Sequence, residues 1–171
     1  MLNIHFLGKT RMTYKGKPVY EQLGAKSYAL ISLLILNENR YMSRDKIIGY
    51  LWPDSNDDAA RYNLRYNLWL IKKTIQADEN GETFLQVDKE TCAINEAYAF
   101  RSDVCDVIEF TPSNKDTISN LLALKERFEG DFLEGCYFNK CDAFNDLIIF
   151  ERINFEKRKV KILKRLAELY E

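Results

Sequence analysis

Histidine is almost missing from this chain, and most of the common catalytic signatures are missing with it. His5 is the only histidine, and Cys92, Cys105, Cys136 and Cys141 are scattered without a Cys-x-x-Cys pair. Without clustered soft or imidazole donors a zinc site is not expected, and the four thiols read as small apolar residues in a reducing cytoplasm. There is no Gly-x-x-x-x-Gly-Lys loop and no Gly-x-Ser-x-Gly elbow, so neither phosphate-cradling nor serine-nucleophile chemistry is indicated. No cofactor, no metal and no catalytic residue is expected. Long apolar runs are lacking too: the longest, Ala29–Leu36, is interrupted by Ser32 and falls far short of the roughly 20 residues of a membrane span. Met1–Lys9 has no charged-then-apolar layout of a signal peptide, so the expected location is cytoplasmic.

Charge is present in quantity but unevenly. The formal net charge is only −1. Residues 1–76 hold 12 Lys and Arg against 6 Asp and Glu, a net of +6, while residues 77–171 hold 13 against 20, a net of −7. A basic half beside an acidic half suggests a polyanion for the first and a protein partner for the second.

The segment Arg40–Ile75 reads as a short helix, a turn stopped by Pro53, and a longer helix. Ser43 suits the N-cap of the short helix with Asp45 in its first turn, and the acidic run Asp54–Asp58 supplies the next cap, not a metal or phospho-acceptor site. In the longer helix Ala60, Leu64, Leu68, Ile71 and Ile75 recur every three to four residues and form one apolar stripe. Arg61, Arg65, Lys72 and Lys73 flank that stripe, and Tyr62, Tyr66 and Trp69 lie opposite it. Two helices joined by a turn, the second presenting basic, amide and aromatic side chains, are what a helix-turn-helix reader of DNA requires.

Before this segment, Leu2–Leu7, Arg11–Tyr14 and Val19–Leu23 read as a small antiparallel sheet with a turn at Gly16, and Tyr28–Asn37 as a central buried helix. After it, Gln76–Glu82 is a polar loop. Phe84–Val87 and Cys92–Asn95 flank Asp88–Lys89–Glu90–Thr91 as a hairpin, the expected wing. Residues 101–112 read as a linker ending at Pro112. Lys115–Phe128 is amphipathic, and a long helix begins near Ala143 with Phe144, Leu147, Ile148, Phe155, Ile162, Leu166 and Leu169 on its stripe.

These residues carry a resemblance. Lys26, Ala29 and Leu30, then Ser43–Arg44, Leu51–Trp52–Pro53, Ala60, Asn63–Leu64–Arg65 and Ile71–Lys72–Lys73–Thr74–Ile75, are similar to the OmpR-type winged-helix domain of the SARP (Streptomyces antibiotic regulatory protein) activators. Asp103 and Phe110 resemble that family's linker. Gly130–Asp131–Phe132–Leu133 and Glu151–Arg152 look like the start of its bacterial transcriptional activation domain. The resemblance implies an α+β winged helix-turn-helix over residues 1–100, a linker over 101–112, and over 113–171 the start of an all-α, tetratricopeptide-like segment. No second repeat is visible, so the sequence is expected to be a fragment of a longer protein.

The resemblance also implies roles. Asn63, Tyr66, Asn67 and Leu70 would face the groove, while Arg61, Tyr62, Trp69, Lys72 and Lys73 flank the backbone. Asn63 or Asn67 suits adenine and Arg61 or Arg65 suits guanine. Leu70 departs from the family, many of whose members carry Arg there. Lys89 and Thr91 at the wing tip would reach the minor groove. Alternatives stay open at three points: Trp69 packing on the wing or sheet, Arg65 pairing with Asp57 or Asp58, and Lys89 and Thr91 as solvated turn residues. The expected function is sequence-specific promoter binding at direct repeats and activation through RNA polymerase, with homodimerisation a further expectation. A non-catalytic protein-interaction adaptor is the alternative, and salt dependence separates the two.

Overall fold

Strict alternation of buried and half-buried side chains at Leu2, Asn3, Ile4 and His5 makes the first strand, β1 (Leu2–His5), of a computed structural model that describes residues 1–171. It pairs antiparallel with β2 (Arg11–Tyr14), and β2 pairs with the two-residue β3 (Lys17–Pro18). Lys15 and Gly16 join β2 to β3 with φ of 51° and 78°, both left-handed, a turn whose twist matches its strands. The expected third run, Val19–Leu23, is not a strand. Val19 and Leu23 are buried one helical turn apart, and helix α1 (Tyr20–Leu36) already begins at Tyr20. Gly24, with φ 72° and ψ 168°, kinks α1, and from Ser27 to Ile35 every residue is buried.

The helix-turn-helix follows. A short strand β4 (Met42–Ser43) leads into α2 (Arg44–Leu51), where the Ser43 hydroxyl accepts from Lys46 N–H. The second helix, α3 (Asp57–Thr74), is capped by Asn56, with Asp57 and Asp58 at its positive end. The Lys26 ammonium donates to the Leu51 carbonyl, which α2 leaves unpaired, and lies 5.4 Å from the centroid of the Trp52 ring. Lys26 and Leu51–Trp52 therefore form a clamp on the turn. The hairpin of β5 (Leu85–Val87) and β6 (Thr91–Ile94) stands where the wing was expected, and β6 also pairs with β4.

Residues 101–112, expected as a linker, carry structure of their own. Strand β7 (Phe100–Ser102) joins the N-terminal sheet parallel to β1, giving the order β3-β2-β1-β7, and helix α4 (Asp103–Glu109) follows directly. The buried Asp103 carboxylate accepts from the backbone N–H of Phe6 at 3.0 Å, Leu7 at 2.9 Å and Val104 at 2.8 Å. Helices α5 (Ile118–Glu126) and α6 (Asp142–Tyr170) complete the chain as an antiparallel pair, with Leu121 packed on Ile162 and Leu166, and Arg165 paired with Asp116 at 3.0 Å.

Between α5 and α6 the Gly130–Leu133 segment returns to the first sheet. Leu133 N–H donates to Phe6 at 2.7 Å and Gly8 N–H to Asp131 at 2.9 Å, while Arg152 of α6 holds the Phe132 and Leu133 carbonyls at 2.8 Å each. One hydrophobic core consequently runs from Leu2 through Phe132, Leu133 and Phe144 to Phe155. The expected boundary at residue 100 does not separate two cores. A 1–100 fragment is expected not to fold, having lost Asp103, Val104 and Phe132. In the full chain, Asp103→Ala removes the acceptor of the Val104 amide at the start of α4 and strands the buried amides of Phe6 and Leu7 at about 1–3 kcal/mol each, lowering Tm by roughly 5–15 °C. Thermal melts followed by circular dichroism check this, and an unchanged Tm would mean these amides find other partners.

Candidate nucleic-acid interface

Helix α3 turns Ala60, Leu64, Leu68 and Ile71 inward, all buried, and packs that stripe on α1. At about 100° per residue, Arg61, Tyr62, Arg65, Tyr66, Trp69, Lys72 and Lys73 then share an outward arc of about 140°. All seven are exposed, the aromatics heavily so: Tyr62 at 63%, Tyr66 at 49% and Trp69 at 53%. The Tyr66 and Trp69 rings lie 6.0 Å apart, and the Lys73 ammonium sits 4.9 Å from the Trp69 centroid. Trp69 is thus a surface residue that lines the groove beside the wing, not a core residue. None of these cations is held in an ion pair, and Arg65 does not engage Asp57 or Asp58. An arc of free guanidinium and ammonium groups around aromatic faces offers donors to bases and charge to phosphates.

Three of the expected reading residues sit elsewhere. Asn67 is buried on the flank facing α1: Ser27 Oγ donates to its Oδ1 at 2.8 Å, and its Nδ2 donates to the Asn63 carbonyl at 2.8 Å. With both ends of the amide engaged inside the protein and the residue buried, Asn67 locks the helix to the core and is withdrawn from the surface that an adenine would meet. Asn63 is half-buried at the arc's edge, and Leu70 is half-buried against the core. Helical geometry explains all three, since positions 63, 67, 70 and 74 fall on the side away from Arg61 and Arg65.

The wing runs alongside α3. A cleft of about 550 Å³ between them is lined by Arg44, Arg61, Arg65 and Lys89, with Asp45 and Glu90 as its carboxylates. A second groove of about 690 Å³ lies between Trp69 and Lys72 on one wall and Tyr41, Gln86, Val87 and Asp88 on the other. At the wing turn, the Asp88 carboxylate accepts from Glu90 N–H at 2.8 Å, Thr91 N–H at 2.7 Å and the Thr91 hydroxyl at 2.9 Å. Those bonds hold the Asp88 carboxyl below its usual 3.8, the Glu90 amide contributing most. The bracing is therefore complete at neutral pH and is lost only as pH falls below that ordinary value. The Thr91 hydroxyl is committed to this turn, whereas Lys89 at its tip is exposed.

Arg44 belongs to this surface although its sequence position marked only a helix start. Its Nε and Nη2 donate to the Asp88 carbonyl at 3.0 and 2.6 Å, tying α2 to the wing turn beside Lys89. A basic residue directly after an N-cap was the available signal, but the contact across 44 residues is not readable from spacing.

No family model and no curated protein sequence matches this chain. Among solved structures, Mycobacterium tuberculosis EmbR in complex with a low-affinity phosphopeptide matches at a TM-score of 0.70 and 19% identity, over 98% of this chain and 45% of that one. The chain thus spans less than half the length of EmbR. At this identity the likeness is one of fold, a mixture of six helices and small sheets.

The relocation of Asn67 changes what its substitution does. Asn67→Ala leaves the buried Ser27 hydroxyl unpaired and is expected to cost about 1–3 kcal/mol of stability. The Ser27→Ala, Asn67→Ala double variant should cost less than the two singles combined, because it removes the orphan as well. Denaturant titration of the three variants checks this, and strict additivity would contradict the pairing.

Proposed function

We propose that this protein is a sequence-specific DNA-binding transcription regulator in which α3 enters the major groove. The observation that carries the reading is the outward arc of α3, where unpaired cations and exposed aromatic rings alternate beside a braced wing. Arg61 and Arg65, in the first half of the helix, read guanine. Lys72, Lys73, Lys89 and Arg44 take phosphates, and Tyr62, Tyr66 and Trp69 pack on sugar and backbone. The fold shared with EmbR supports a regulator of the SARP type. The finer reading is of a cytoplasmic, non-catalytic activator that binds promoter direct repeats, dimerises there and contacts RNA polymerase, with α5 and α6 opening a tetratricopeptide-like array.

One surface favours protein contact as well. Helix α6 exposes Ile149, Phe150, Ile153, Val160 and Leu163, the last two inside Lys157–Arg165, a run with six basic residues and no acidic one. The acidic sum of residues 77–171 therefore hides a basic, apolar stripe that suits an acidic helix on a partner. An adaptor would use this stripe alone, whereas a regulator uses it together with α3.

Salt dependence separates the two. With roughly four to seven phosphate contacts, the logarithm of affinity for duplex DNA should fall with the logarithm of salt at a slope of about −4 to −6. Arg65→Ala should cost about 1–3 kcal/mol on a selected site and less on random DNA, while Lys72→Ala weakens both alike. Fluorescence anisotropy measures all of these. A flat salt response would leave the adaptor reading standing and overturn this one.

A further inference from the structure

Helix α3 has a structured neighbour on each side, and only one of them is the wing. Arg61, Leu64, Arg65, Leu68, Ile71 and Lys72 meet the two wing-side grooves. On the opposite flank Leu70, Lys73 and Thr74 share a groove of about 580 Å³ with Tyr14, Lys15, Lys17 and Pro18 of the β2–β3 hairpin. The outward arc of α3 thus lies between two projecting turns.

The hairpin is built to hold its lysines in place. Lys15 at φ 51° and Gly16 at φ 78° make a two-residue turn whose ends are fixed by pairing of Thr13 with Pro18 and Tyr14 with Lys17. The Lys15 N–H donates to the Met1 carbonyl at 3.1 Å, and the Tyr14 hydroxyl reaches the Gln76 carbonyl just past α3. Lys15 and Lys17 are exposed and take part in no ion pair. Their groove contains three lysines, Lys15, Lys17 and Lys73, and no carboxylate, whereas the wing-side cleft has Asp45 and Glu90 among its cations. Two lysines on a surface turn are ordinarily just solvated. Three lysines around one uncompensated groove, on a hairpin tied to the end of the recognition helix, form a concentrated positive site that only an anion neutralises.

The major groove of B-DNA is about 12 Å wide, and a helix with its side chains is about 10–12 Å across. A helix seated there brings a phosphate strand close to each of its flanks. We propose that the β2–β3 hairpin is a second backbone clamp: Lys15, Lys17 and Lys73 take phosphates of the strand on the side of α3 away from the wing. Lys89 and Arg44 take those of the other strand, so the helix is held from both walls of the groove. Lysine ammonium groups suit this task, being compact charges that carry no base information. The clamp rests on the DNA-binding reading and adds to it a contact set outside the helix-turn-helix and the wing.

The test uses the full chain and the Lys15→Gln, Lys17→Gln double variant, on a mixed-sequence duplex and on a selected site. Because both side chains are exposed, the variant should melt like the parent, and a Lys15→Arg, Lys17→Arg variant keeps the charge on the same turn. Loss of two phosphate contacts should make the salt slope shallower by about 2. The affinity loss should be of similar fold on the two duplexes, and the Arg variant should retain the parental slope. A Gln variant with the parental slope overturns the clamp while leaving the DNA-binding reading intact. A parent chain with no salt-dependent duplex binding overturns the reading itself, and the clamp with it. A loss confined to the selected site would also count against the clamp, since phosphate contacts do not distinguish sequences.

Discussion

Ala60, Leu64, Leu68 and Ile71 dock α3 onto α1, and the buried hydrogen bond from Ser27 to Asn67 locks the rotation of that contact. Everything the helix offers to solvent depends on this rotation. A change of one residue in register would turn each side chain by about 100° and bury Arg61, Arg65 and Trp69 in place of Ala60, Leu64 and Leu68. An apolar stripe alone tolerates some rolling, because hydrophobic burial is not directional. The amide of Asn67 removes that freedom, since its oxygen and its nitrogen each have one partner in one orientation. The exposed arc of cations and rings is the consequence of a buried polar pair on the other side of the helix.

The second dependence is the seam between the first sheet and the C-terminal helices. Asp103 gathers the amides of Phe6 and Leu7, Leu133 adds a bond to Phe6, and Arg152 on α6 fastens Phe132 and Leu133 from behind. Cys141, at the start of α6, approaches the Lys26 clamp at the end of α2, its Sγ 3.1 Å from the Lys26 ammonium. Helix α6 is thereby joined to both the sheet and the helix-turn-helix. Residues resembling an activation-domain signature serve here as packing residues. A partner seated on the outer face of α6 would be held in a fixed relation to whatever α3 binds, so the two surfaces are divided by face and not by flexible domain.

Local features were legible in the sequence, and features that need distant partners were not. The N-cap at Ser43, the stop at Pro53, the wing hairpin and the inward stripe of α3 all follow from residues within one or two turns. The outward placement of Tyr62, Tyr66 and Trp69 followed from the same periodicity. Strands β4 and β7 were missed because two or three residues carry no period, and each exists only through a partner far along the chain. Val19–Leu23 was misread because a short apolar and polar run fits a strand and a helix turn equally well. Asn67 was misplaced by transferring a role by position, although its place on the wheel, beside Ala60 and Leu64, pointed inward.

The two tryptophans supply the most direct test, because Trp52 is buried at 8% exposure and Trp69 stands in the middle of the proposed contact at 53%. Acrylamide quenching of the intrinsic fluorescence therefore reports mainly on Trp69. Adding duplex DNA at low salt should shield that ring and reduce the quenching constant, and raising the salt should restore it as the complex dissociates. DNA that binds while leaving the quenching of Trp69 unchanged would show that the arc of α3 does not face the duplex, and would contradict the account at its centre.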